Sequence, residues 1–174
     1  MKRRNGMERI YLAYGSNLNR RQMAYRCPDA ECIGTASIKD YRLLYKGSMS
    51  SAYLTIKRCR GHEVPVGVWK VTEDDEKSLD RYEGYPRFYY KKNIELEVLR
   101  NDGGREVMEC FVYIMDEDRR IPALPSTEYL QTCLEGYRDF GFDVRYLDEA
   151  YGYTARKARR HEEGLYRRVR RKDD

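Results

Sequence analysis

Between Glu31 and Val71 the chain carries four β-rich runs, at roughly 31–37, 40–46, 52–57 and 64–71, joined by links of only two, five and six residues. A parallel neighbour needs a crossover of a dozen or more residues, so links this short impose antiparallel pairing. A further hairpin follows, with strands over Tyr89–Leu99 and Glu106–Met115 joined at Asn101-Asp-Gly-Gly104, a strong turn signal. A short strand at Ile10–Tyr14 precedes them all. Helical patterns lie between and after these runs. They are Asn19–Arg26, closed by Pro28; Thr72 to about Tyr82, stopped by Gly84; Ser126 to about Phe140, ended by Gly141; and a short Val144–Tyr151. Most strands precede most helices, which gives an α+β chain whose mostly antiparallel sheet curls into a small barrel decorated with helices.

At 174 residues the chain suits one domain, expected over residues 1–153, with a basic C-terminal tail at 154–174. Residues 155–174 hold nine Lys/Arg against four Asp/Glu, which is the whole net charge of +5. The tail is poor in apolar residues and is expected to be mobile or draped on the surface, with a helix capping the barrel as the alternative. Its charge could attract nucleic acid or anionic lipid, but no recognised binding module accompanies it, so nucleic acid is disfavoured as a partner. The five cysteines form no C-x-x-C pair and have only two histidines to join them, which argues against a zinc site and for reduced thiols. No metal or cofactor is expected. No run approaches the roughly 18 apolar residues of a membrane span, so no membrane partner is expected and a cytoplasmic location is the natural one. A homodimer is left open.

Two segments carry chemistry. In Tyr11-Leu-Ala-Tyr-Gly-Ser-Asn-Leu18 an apolar strand runs into a turn with no charged side chain, where Gly15 can take a positive φ or admit a ligand close to the backbone. In Leu79-Asp-Arg-Tyr-Glu-Gly-Tyr-Pro86, Glu83 closes a helix whose dipole disfavours a carboxylate there. Such a position, flanked by Tyr82 and Tyr85, can raise a carboxyl pKa towards neutrality. From spacing alone an exposed last-turn glutamate remains the commoner reading. Trp69, Cys110 and Cys133 read as core residues, and Asn17 is also a candidate helix cap. Of Lys91 and Lys92, adjacent on a strand, only one can face a pocket.

Taken together, Y-L-A-Y-G-S-N-L-N at 11–19 and V-G-V-W-K-V followed by L-D-R-Y-E-G-Y-P within 66–86 resemble the gamma-glutamylcyclotransferase-like superfamily, which includes plant avirulence-induced-gene proteins. The likeness spans about residues 9–140. It implies a small mixed β-barrel decorated with helices and conversion of small γ-glutamyl compounds to 5-oxoproline. By the same resemblance Glu83 matches the catalytic acid/base, and Tyr14, Gly15, Ser16 and Asn17 match the substrate-holding loop. Tyr89 and Tyr113 match pocket tyrosines, with the doublet Tyr89-Tyr90 leaving the first assignment open by one position. The residue types suit the chemistry: a carboxylate frees the α-amine for attack on the γ-carbonyl, and ring closure within one molecule needs no serine or cysteine nucleophile. The alternative function is a non-catalytic small-molecule-binding or regulatory module on the same barrel.

Overall fold

The computed structural model describes residues 7–48, 50–116 and 120–171. Five strands close on themselves: β1 (Arg9–Ala13), β2 (Glu31–Gly47), β3 (Ala52–Val71), β4 (Tyr89–Arg100) and β5 (Arg105–Met115). Their order is β3-β1-β5-β4-β2, with β2 returning to β3, and the two-residue β6 (Ile121–Pro122) adds to β2. Every pairing is antiparallel except that of β1 with β5, which is parallel at Tyr11 opposite Phe111. The barrel is therefore mixed and mostly antiparallel, as expected. Alternation along β1 and β3 sends Leu12, Val64, Val66 and Val68 into a fully buried core.

The four runs between 31 and 71 are two long strands rather than four short ones. The register shifts between Lys39 and Tyr41, where Asp40 takes φ +60°, and opposite it Gly61 takes φ +80°. The Asp40 carboxylate accepts the Gly61 N–H at 2.9 Å. This bulge bends the hairpin without ending it. Closure of β2 on β4 depends on Gly34, because a Cβ at that position would stand 2.1 Å from the Leu99 carbonyl oxygen.

Helices α1 (Arg20–Arg26), α2 (Glu73–Glu83), α3 (Thr127–Asp139) and α4 (Arg145–Arg170) surround the barrel. A capping box starts α2: the Thr72 hydroxyl accepts from Asp75 N–H, and the Asp75 carboxylate accepts from Thr72 N–H. Gly84, left-handed at φ +65°, ends it, so Glu83 is its last helical residue.

The expected short helix at 144–151 instead runs to Arg170, and the expected tail boundary at 154 falls inside it. Thr154 is buried, accepting from Tyr45 N–H at 2.9 Å and donating to the Ala150 carbonyl at 2.7 Å. The first half of α4 thus packs on the barrel, while residues 159–171 are all exposed. No described helix is long and apolar enough to cross a membrane.

Candidate functional site

The chain leaves β1 at Ala13 and makes one 3-10 turn over Ser16–Leu18. Gly15 has φ −122°, not a positive value. Its lack of a side chain matters for packing, since a Cβ would stand 3.2 Å from the Tyr129 hydroxyl of α3. Ser16 and Asn17 are buried. The cap of α1 is Asn19, which accepts from Gln22 N–H, so the Asn17 amide is spared that role. Its Nδ2 donates to the Tyr11 hydroxyl at 2.9 Å and to Glu83 Oε1 at 3.0 Å, and its Oδ1 accepts from Arg26 Nη1. Ser16 Oγ lies 3.0 Å from the Tyr82 hydroxyl.

This contact brings the two sequence segments together. Glu83 is only partly buried as a whole residue, but its carboxyl group is crowded by protein and poorly hydrated. That desolvation lifts its pKa to about 7, against the pull of the Arg26 charge and the Asn17 hydrogen bond. The group is thus divided between its two protonation states at neutral pH.

Glu83, Tyr14, Gly15, Ser16, Asn17, Tyr89 and Tyr113 all line one cavity of about 470 Å³. Tyr89 is 6% exposed and faces it, whereas Tyr90 is 42% exposed. Tyr14 donates to the Tyr113 carbonyl at 2.6 Å, Tyr89 to the Leu54 carbonyl at 2.7 Å, and Tyr113 to Asp80 Oδ1 at 2.6 Å. Each has therefore given its single proton to the protein and has only lone pairs left for a ligand. Tyr11 differs, since its oxygen accepts from Asn17 and its proton is available. Burial raises the pKa of all four phenols, so they stay neutral. The cavity joins hydrogen-bond acceptors on its tyrosine walls to one proton-exchanging carboxyl group.

Other candidates lie elsewhere. Lys91 binds Glu76 at 2.6 Å and Asp80 at 2.8 Å, and Lys92 donates to the Tyr41 hydroxyl at 3.0 Å. Trp69 packs edge-on to Phe140 in the core. Burial pushes the Cys110 and Cys133 thiols up to about 11 and about 12, so neither is a thiolate at neutral pH.

The sequence profile of the family described as "Gamma-glutamyl cyclotransferase, AIG2-like" matches residues 11–131, which span both segments and all of the barrel except the first two residues of β1. The chain belongs to this family. Among its relatives are the human protein named gamma-glutamylcyclotransferase, 29% identical over 147 residues that cover 80% of this chain and 76% of the relative. The bovine protein of the same name is 29% identical over 153 residues, 84% of this chain and 79% of the relative. A solved structure titled "Gamma-glutamyl cyclotransferase" superposes with a TM-score of 0.66 at 26% identity, covering 82% of this chain and 86% of that one.

In this member of the gamma-glutamyl cyclotransferase, AIG2-like family, the cavity also has walls that sequence reasoning passed over. Tyr53 from β3, Phe88 before β4 and Tyr129 from α3 form an aromatic group, with Tyr53 edge-on to both of the others. Tyr129 receives the Leu54 N–H at 3.1 Å, which fixes its ring over the loop. Arg26 was passed over as well. Its guanidinium carbon lies 3.3 Å from the centre of the Tyr82 ring while Nη1 holds Asn17.

Proposed function

We propose that the protein is a γ-glutamyl cyclotransferase that converts a small γ-glutamyl compound to 5-oxoproline and a free amine or amino acid. The observation that carries this reading is the 3.0 Å hydrogen bond from Asn17 to Glu83, which ties the uncharged loop to a carboxyl group titrating near neutrality in one cavity. Glu83 is the proton carrier. The α-ammonium of the substrate loses one proton to become a nucleophile and a second as its nitrogen becomes the ring amide. The new bond joins that nitrogen to the γ-carbonyl carbon, and the bond from that carbon to the departing nitrogen breaks. Both protons end on the departing amine, relayed one at a time by Glu83. No water is consumed and no covalent enzyme intermediate forms.

Tyr14, Tyr89 and Tyr113 present lone pairs that suit the ammonium end of the substrate. N–H groups at the start of the Ser16–Leu18 turn have no partner within it, and they suit the carboxylate or the developing oxyanion. Folding the glutamyl chain back on itself inside the cavity supplies proximity. The setting we propose is the cytoplasm, where the five unpaired cysteines stay reduced.

The test is incubation with a panel of γ-glutamyl amino acids and γ-glutamyl amines, followed by mass-spectrometric detection of 5-oxoproline. Product from at least one is expected, and turnover should fall by about 10²–10⁴-fold in Glu83→Gln. Ligand that binds and is recovered intact throughout the panel would refute the assignment and favour a binding module.

A further inference from the structure

We propose that Arg26 is the positioning residue of this site, fixing the Asn17 amide in the one orientation that presents Nδ2 to Glu83 and so keeps the carboxyl group available as a base. The proposal rests on the cyclotransferase reading. It follows from what each group can do. An amide has one accepting and one donating end, whereas a guanidinium only donates. Arg26 Nη1 therefore meets Oδ1 and leaves Nδ2 to face Tyr11 and Glu83.

A donor aimed at Glu83 favours its ionised form. With the amide turned over, Oδ1 would instead accept a proton from the neutral acid and favour that form. Arg26 is itself held, stacked on Tyr82 from α2 and donating Nη2 to Gln22 Oε1 at 3.1 Å. It does not line the cavity, so it acts through Asn17 and through its charge.

The other titratable groups that line the cavity with Glu83 are tyrosines, Tyr11 from β1, Tyr14 from the loop, Tyr53 from β3, Tyr82 beside it on α2, Tyr89 from β4, Tyr113 from β5 and Tyr129 from α3, together with one arginine. Arg81, on α2, also borders the cavity but donates to Ser78 Oγ at 3.1 Å.

Arg26→Gln removes the charge and offers both an acceptor and a donor, so the amide loses its bias. The acid limb of the kcat/KM profile should move up by about one pH unit. Activity should then fall about tenfold at pH 6 and approach wild type at pH 9. Arg26→Met, whose stem still covers Tyr82, should do the same and serves if the Gln variant does not fold. Arg26→Lys, again a donor-only cation, should restore most of the limb.

In parallel, 13C-glutamate labelling, with the Glu83 signal assigned from Glu83→Gln, follows the carboxyl titration without any turnover. It should move up in the Gln and Met variants. An unmoved titration with equal loss of rate at every pH overturns the proposal, and so does a Lys variant displaced as far as the Gln one. If the wild type makes no 5-oxoproline, the cyclotransferase reading falls while the titration still decides what Arg26 does.

Discussion

Glu83 occupies the position in α2 where a helix least favours a carboxylate, next to a left-handed glycine and inside a poorly hydrated cavity. Its charged form is therefore destabilised by folding, and stability must register this. A carboxyl group at its usual 4.5 in the unfolded chain and about 7 in the folded one binds more protons when folded. Folding stability should fall as pH rises through that window. Glu83→Gln lacks the titration, so above pH 7 it should be more stable than wild type by up to about 3 kcal/mol, with the gap closing below pH 5. Urea denaturation at pH 5 and pH 8 measures the difference, and an equal gap at both would contradict the raised pKa. At this scale the sequence was partly legible. The Tyr14–Asn17 turn and Glu83 stood out because each is an odd local choice, a charge-free turn and a misplaced acid. Arg26 did not, because an arginine in a helix's last turn is what a dipole alone would select, and nothing local says that it reaches back to Asn17.

Among the elements, local chemistry decided legibility. The turn at Asn101–Gly104 and the caps at Thr72, Gly84 and Ser126 were readable because those residues do their work within a few positions. Thr72→Ala removes the hydroxyl that accepts from Asp75 N–H while leaving the backbone N–H that donates to the Asp75 carboxylate, and should lower stability by about 1 kcal/mol in urea denaturation, with kcat/KM little changed because Glu83 lies at the far end of the helix. In the sequence the β2–β3 hairpin divides into four runs, with Asp40 opening one of them and Gly61 in the link between two others. Their pairing across the hairpin, which turns a break into a bend, is a contact between residues 21 apart. Helix α4 was cut short for the opposite reason. Its apolar periodicity fades after Thr154, but Ala, Arg, Lys and Glu sustain a helix by propensity where packing no longer asks for one.

For the whole molecule, barrel and tail separate cleanly. Residues 159–171 are exposed throughout and the cavity lies among the strands, α2 and α3. A chain ending at Ala158 should keep the wild-type urea midpoint and turnover, and a loss of either would show that the basic end of α4 supports the fold. The overall barrel was legible because short links leave few topologies, whereas the parallel seating of β1 was not, since nothing local joins Tyr11 to Phe111.

That seam has its own consequence. The loop leaves β1 and Tyr113 sits on β5, so the two sides of the cavity are a hundred residues apart along the chain and meet only where the sheet completes its circle. A ribosome makes the first half of the site long before the second, and until both are docked there is no enclosure to strip water from Glu83. Turnover is therefore a readout of a closed ring, and a partly assembled barrel is a chemically silent one.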